Sequence, residues 1–132
     1  MKKSGVLLLI FMGVFLVSCM PETPEVKEVV IYEFYGKSCS HCKKMNTWLE
    51  DIKPKYPSLI VVQHEVYSNK TSNQLFQDIT DAYGKTRSGA VPTIFIGEKR
   101  IRGFSAELGE KIEEEIQNCL KIGCPSPANK LK

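Results

Sequence analysis

Cys39 and Cys42, in the run Cys39-Ser40-His41-Cys42, are the residues of this 132-residue chain best placed to do chemistry. A Cys-x-x-Cys pair can be a redox dithiol, an inert disulfide or half of a zinc site. Zinc would need two more ligands, which Cys119 and Cys124 could supply. The surroundings favour redox chemistry. The pair follows an apolar run, Val29 to Tyr35, and opens a segment of helical periodicity, which puts Cys39 at a helix N-terminus. Unsatisfied backbone N–H groups and the positive end of the helix dipole favour a thiolate there. His41, Lys37 and Lys43 are close in sequence and can add to that. A lowered thiol pKa gives more nucleophile at neutral pH and stabilises the reduced form, making the disulfide a better oxidant.

The elements that must hold this pair follow from the pattern. Val29 to Tyr35 is rich in β-branched and aromatic residues and reads as a strand buried on both faces, interrupted by Glu33. A carboxylate inside a buried strand is expensive unless it has a partner or a role. Cys42, Met45, Trp48, Leu49 and Ile52 form one helix face, ended by Pro54 and Pro57. Leu59 to Val66 is a second strand and His64 an ordinary member of it. Asn69 or Thr71-Ser72 can cap a second helix with Leu75, Phe76, Ile79, Ala82 and Tyr83 on its face, stopped at Gly84. Val91 to Ile96 is a third strand that begins at Pro92, the tolerated place for proline. Gly97 to Arg100 turns into a fourth, and Ser105 caps a last helix carrying Leu108, Ile112, Ile116, Cys119 and Leu120. The order β-α-β-α-β-β-α gives an α/β domain with a four-stranded mixed sheet flanked by helices, the first two strands parallel through a right-handed crossover.

The ends of the chain read differently. Lys2-Lys3 followed by twelve apolar residues, Val6 to Val17, has the make-up of an export signal and is shorter than the roughly 20 residues of a bilayer span. Leu16-Val17-Ser18-Cys19 resembles a bacterial lipobox. That resemblance implies a signal peptide over 1–18, lipid on Cys19 and a tether over 19–27 reaching about 25 Å at the extended rise of the chain. The domain runs over 28–124, and 125–132, with Pro125 and Pro127, is expected to be a flexible tail. Net charge is +3, and about +1 without Lys2 and Lys3. No basic stripe marks a nucleic-acid binder.

With Cys-x-x-Cys after the first strand and Val91-Pro92-Thr93 opening the third, this order resembles the thioredoxin superfamily over about residues 28 to 120. Glu33, six residues before Cys39, stands where thioredoxins carry a buried acid, and Pro92, fifty residues after Cys42, stands at their cis-proline. A histidine beside the second cysteine is shared with protein disulfide isomerase and DsbA-like oxidants. The first strand and helix of full thioredoxins and the Gly-Gly-x-Asp glutathione signature of glutaredoxins are absent. The resemblance implies that Cys39 attacks, that Cys42 resolves the mixed disulfide, that Glu33 exchanges a proton with Cys42, and that the Val91 backbone beside Pro92 pairs with an extended substrate.

Cys119 and Cys124 remain. If Gly123 is a left-handed residue just past the last helix, these two occupy the touching positions of a Schellman motif, and a disulfide there would be worth about 2 kcal/mol. A structural disulfide is the expectation; a second redox pair, free thiols and metal are the alternatives. The chain is therefore expected to be a monomeric, lipid-anchored disulfide oxidoreductase of the cell envelope. It would act on exported protein thiols or disulfides, be reset by an integral membrane redox partner, and need no cofactor or metal beyond its own dithiol. A thioredoxin-like lipoprotein that binds a metal or a protein without turnover is the rival reading.

Overall fold

The structure is a computed structural model describing residues 25–131. Cys19, its lipid, the signal peptide and most of the tether lie outside the described residues. Strands β1 (Val29–Tyr35), β2 (Leu59–Glu65), β3 (Thr93–Ile96) and β4 (Lys99–Arg102) form one sheet in the order β2-β1-β3-β4. β1 runs parallel to β2 and antiparallel to β3, and β3 and β4 form a hairpin. The helices are α1 (Ser40–Ile52), α2 (Lys70–Ala82) and α3 (Ala106–Ile122).

Central position explains the composition of β1. Both its neighbours are strands and both its faces are covered, so Val29, Ile31 and Phe34 are fully buried. On one face, Val29, Ile31, Ile94 and Ile96 meet Met45, Leu49 and Ile52 of α1 and Ile112, Ile116 and Cys119 of α3. On the other, Phe34 and Phe95 meet Phe76 and Ile79 of α2, with Phe34 stacked on Phe76 at 4.7 Å between centroids. His64 stacks on Phe34 with Tyr32 tilted against it, and its burial pulls the imidazole pKa down, towards the neutral form.

The helix starts follow the capping rules. Asn69 caps α2, its Oδ1 accepting from Ser72 N–H, and Ser105 caps α3 through Leu108 N–H. β4, Lys99-Arg100-Ile101-Arg102, is a charged edge of the kind that resists pairing with a second sheet.

Two details differ from the sequence reading. The expected flexible tail folds back: Pro127–Lys130 form a 3-10 turn with Pro127 buried, and Leu131 packs on the Phe34/Phe76 cluster. Lys130 pairs with Glu98 and lies 5.1 Å over the Tyr83 ring. The aromatic face of α2 would otherwise be open beside Tyr83, and this segment closes it. The Schellman geometry is also absent. Gly123 has φ 76° but ψ 117°, outside the left-handed helical region, and the helix end is closed by one bond from Gly123 N–H to the Cys119 carbonyl at 2.9 Å. The Cys119–Cys124 disulfide forms nonetheless.

Candidate active site

β1 delivers the chain to the site and α1 begins there. Gly36 accepts from Cys39 N–H at 3.1 Å, turning the backbone so that Cys39 becomes the N-cap of α1. A sulfur stands where Ser, Thr, Asp or Asn usually stands. Cys39 Sγ accepts from Cys42 N–H at 3.1 Å, a contact that becomes charge-assisted when Cys39 is a thiolate. The first turn of α1 carries no acidic residue to oppose that charge. Cys39 and Cys42 are disulfide-bonded with Cα atoms 5.2 Å apart. Cys39 is partly exposed, whereas Cys42 is 1% exposed. An incoming thiolate therefore meets Cys39.

The opposite wall is the segment before β3. The Val91–Pro92 bond is cis, and Cys39 Sγ lies 3.8 Å from the Val91 carbonyl oxygen. Thr93 Oγ1 donates to the Ala90 carbonyl and the Pro92 carbonyl accepts from Gly103 N–H, which fixes the chain on either side. Among the described residues, Val91 N–H and C=O pair with no backbone group.

Glu33 is fully buried on the α1 face of β1, two residues from Ile31 and opposite Ile94 of β3. Gln63, its register partner on β2, donates to Glu33 Oε2 at 2.7 Å. The Asn46 amide lies against both Glu33 oxygens, 2.6 and 2.9 Å away when its nitrogen faces them, the orientation that satisfies both groups. Asn46 follows Cys42 by four residues, one helical turn, so Glu33 lies beneath the face of α1 that carries Cys42. Desolvation raises the Glu33 pKa from 4.5 to about 7, against the Gln63 hydrogen bond, which lowers it. Among the described residues no hydrogen bond joins Glu33 to either cysteine. His41 is exposed on the first turn and makes no hydrogen bond there.

Three positions the sequence did not single out shape the site. Asn46 and Gln63 hold Glu33; their signals were the i, i+4 relation to Cys42 and the cross-strand register. Glu65, at the end of β2, accepts from Tyr67 N–H and Ser68 N–H at 2.9 Å each and from Ser68 Oγ at 2.6 Å. With a further backbone bond from Lys37, these contacts draw its carboxyl down to about 2, led by the Ser68 hydroxyl. Glu65 thus ties the loop after β2 to the loop before Cys39. The Tyr67 ring covers Gly36, where a Cβ would stand 2.3 Å from it, so Gly36 is needed for that contact.

The second pair is elsewhere. Cys119 and Cys124 pack against Gly97 in the β3–β4 turn, which follows Ile96, the partner of Ile31 near the start of β1. The site cysteines follow the other end of β1, beyond Tyr35, which itself lies about 13 Å along the strand from Ile31. The two pairs cannot share a zinc ion, which corrects that alternative. Glu115, Cys119 and Cys124 bring ligand atoms within 4.8 Å of one another, but both sulfurs are committed to their disulfide.

The four-stranded sheet, the N-capping cysteine with its buried partner and the facing cis-proline define the class: a thioredoxin-like thiol–disulfide oxidoreductase. The family model for thioredoxin matches residues 22–120, and the chain belongs to that family. Solved structures share the fold. A protein assigned as the thiol:disulfide interchange protein DsbE of Chlorobium tepidum superposes with a TM-score of 0.55 at 19% identity, over 72% of this chain and 82% of that one. A periplasmic thioredoxin-like protein from Salmonella enterica serovar Typhimurium gives 0.51 at 15% identity, over 74% and 87%. Mitochondrial thioredoxin 3 from Saccharomyces cerevisiae gives 0.50 at 20% identity, over 70% and 79%. No curated protein sequence matches the chain.

Proposed function

We propose that this protein is a membrane-anchored oxidoreductase that exchanges disulfides with exported proteins through Cys39 and Cys42, running as an oxidant or isomerase. The observation that carries the reading is the N-cap sulfur. Cys39 Sγ is partly exposed, accepts a backbone N–H and faces the unpaired Val91 main chain, whereas Cys42 is sealed beneath it. A substrate segment pairs with Val91 as an added strand and brings its thiolate to Cys39 Sγ. The substrate S–Cys39 bond forms as the Cys39–Cys42 bond breaks, and Cys42 leaves as a thiolate that takes a proton from Glu33. A second substrate thiolate then attacks the substrate sulfur of the mixed disulfide. Cys39 leaves as a thiolate held by Cys42 N–H and the helix N-terminus. The substrate has lost two electrons and the protein has gained them, so a redox partner, an integral membrane protein on this reading, must reset the pair.

Stabilising the Cys39 thiolate stabilises the reduced protein, which favours the oxidising direction. A reduction potential for Cys39–Cys42 tests this. The expected value lies towards the oxidising end, about −120 mV, and one near about −270 mV would make the protein a reductant.

The anchoring half of the proposal rests on Leu16-Val17-Ser18-Cys19. The fold is compatible with it: the described chain enters at the start of β1, so the catalytic cysteines stand at the sheet end away from the tether, facing outward from a lipid surface. Cys19→Ser should move the protein from the membrane to the soluble fraction with its disulfide exchange intact. Mass spectrometry of the mature parent should find diacylglyceryl on Cys19, and an unmodified Cys19 would refute lipid attachment there.

A further inference from the structure

We propose that Cys119 and Cys124 form a second redox couple, oxidised in this structure, which exchanges with low-molecular-weight thiols at Cys124 and is biased towards its dithiol form by Glu115. The inference goes beyond the first site and does not depend on it.

The starting observation is a buried carboxylate oxygen that faces a disulfide sulfur. Glu115 lies on the buried face of α3 and is only 5% exposed. Burying a carboxylate is costly unless both oxygens find donors. Oε2 pairs with the Lys99 ammonium, which reaches in from the edge strand. For Oε1, the only group in hydrogen-bonding range among the described residues is Cys119 Sγ, 3.8 Å away. A disulfide sulfur carries no proton, so in the oxidised state Oε1 faces an atom that cannot donate. In the reduced state the same sulfur is a thiol and can. Glu115 therefore gains a hydrogen bond only when the disulfide opens, and a bond to a charged acceptor is among the stronger ones.

Access gives the pair a direction. Cys119 is fully buried against Glu115, while Cys124 is only partly buried. A thiolate from solvent reaches Cys124 Sγ, and Cys119 departs towards the carboxylate. The new sulfur–Cys124 bond forms as the Cys119–Cys124 bond breaks, and Cys119 takes up the proton that the attacking thiol gave up, which it then shares with Oε1. A second thiolate attacks the mixed disulfide at the small-molecule sulfur and frees Cys124. Two thiols have become one small disulfide, and the protein disulfide has become two thiols.

The surrounding fold does not rely on the covalent bond. The last turn of α3 is closed by Gly123 N–H on the Cys119 carbonyl, and Lys27 Nζ donates to the Lys121 carbonyl at 2.6 Å, a cation at a helix C-terminus. Ile112 and Ile116 anchor the helix in the core. Opening the disulfide leaves these contacts in place.

The test uses the full chain carrying Cys39→Ser and Cys42→Ser, equilibrated in glutathione redox buffers, acid-quenched, alkylated and resolved by peptide mass spectrometry. The expected result is reversible interconversion of the Cys119–Cys124 pair with the circular dichroism of the folded protein unchanged, and a glutathione adduct on Cys124 rather than Cys119. Glu115→Leu should shift the exchange constant about tenfold towards the disulfide, about 30 mV for a two-electron couple. Glu115→Gln, which keeps an acceptor oxygen, should shift it less. A pair that stays oxidised until the chain unfolds, an adduct on Cys119, or an unchanged constant in Glu115→Leu would each overturn the proposal. If Glu115→Leu does not fold, the parent titration and the adduct position decide the matter. Because the first pair is absent, failure here leaves the reading of Cys39 and Cys42 untouched.

Discussion

Replacing Cys42 with Ser is expected to turn the protein into a covalent trap, while replacing Cys39 should leave no exchange above the rate of free thiols. Cys39 holds the exposed sulfur, and Cys42, at 1% exposure, cannot be reached by a protein thiolate. In Cys42→Ser the thiolate of Cys39 still forms, because the N–H at position 42 that it accepts from is main chain and survives the substitution. It attacks a substrate disulfide and forms the mixed disulfide, but no second sulfur lies beneath to resolve it. Non-reducing electrophoresis should show adducts of the protein that collapse with dithiothreitol. Cys39→Ser should show none, because a hydroxyl at the N-cap preserves the helix start but not the nucleophile. Adducts of equal yield from both variants would mean that Cys42 is accessible and that the roles are misassigned. No adducts from either would favour a binding protein over an enzyme.

Glu33→Gln is expected to act in opposite directions on stability and on catalysis. Burial raises the Glu33 carboxyl from 4.5 to about 7. The folded protein therefore holds a proton that the unfolded chain releases, and stability is full below about pH 4.5 and lost as pH rises through about 7. The shift corresponds to roughly 3 kcal/mol at full ionisation. Glu33→Gln is neutral at every pH. Denaturant titration should find it more stable than the parent at pH 8, by up to about 3 kcal/mol, with the gain vanishing below about pH 4.5. Catalysis should fall. Above about pH 7 the ionised carboxylate can take a proton from the Cys42 thiol, and below it the acid can return one, a role worth roughly a hundredfold or more for a positioned acid–base group. Opening of the Cys39–Cys42 disulfide by a substrate thiol should slow by that order and lose its inflection near pH 7. A variant that retains the inflection would assign it to another group.

The first of these results depends on residues visible in the chain itself. Val29 to Tyr35 reads as a buried strand, and Cys39 stands at the start of the helix whose face begins at Cys42. Pro92 at the head of a β-branched run could only open the third strand. These are local matters of β-propensity, 3.6-residue periodicity and the missing N–H of proline, so the α/β order and the position of the Cys39–Cys42 pair in it could be read without coordinates. The second result needed more. That Glu33 is sealed, and so holds its proton near neutrality, depends on α1 covering it and on amides from two other elements. Asn46 is visible as one turn past Cys42 and Gln63 as a strand residue, but their convergence on one carboxylate is set by the β1–β2 register and the seat of α1.

Glu115 illustrates the same limit: a glutamate on an apolar helix stripe is ambiguous until Lys99 and Cys119 are brought against its two oxygens. The tail misled because Pro125 and Pro127 mark a helix end equally well whether the chain then leaves or folds back. What decides is the open aromatic face beside Tyr83, which exists only once α2 has packed on the sheet. The sequence by itself determined the elements and the place of the Cys39–Cys42 pair at a helix start, because propensity and spacing act within a few residues. The burial of each charged group and the opposite placement of the two disulfides were decided by the tertiary structure, because desolvation and distance depend on what every other element covers.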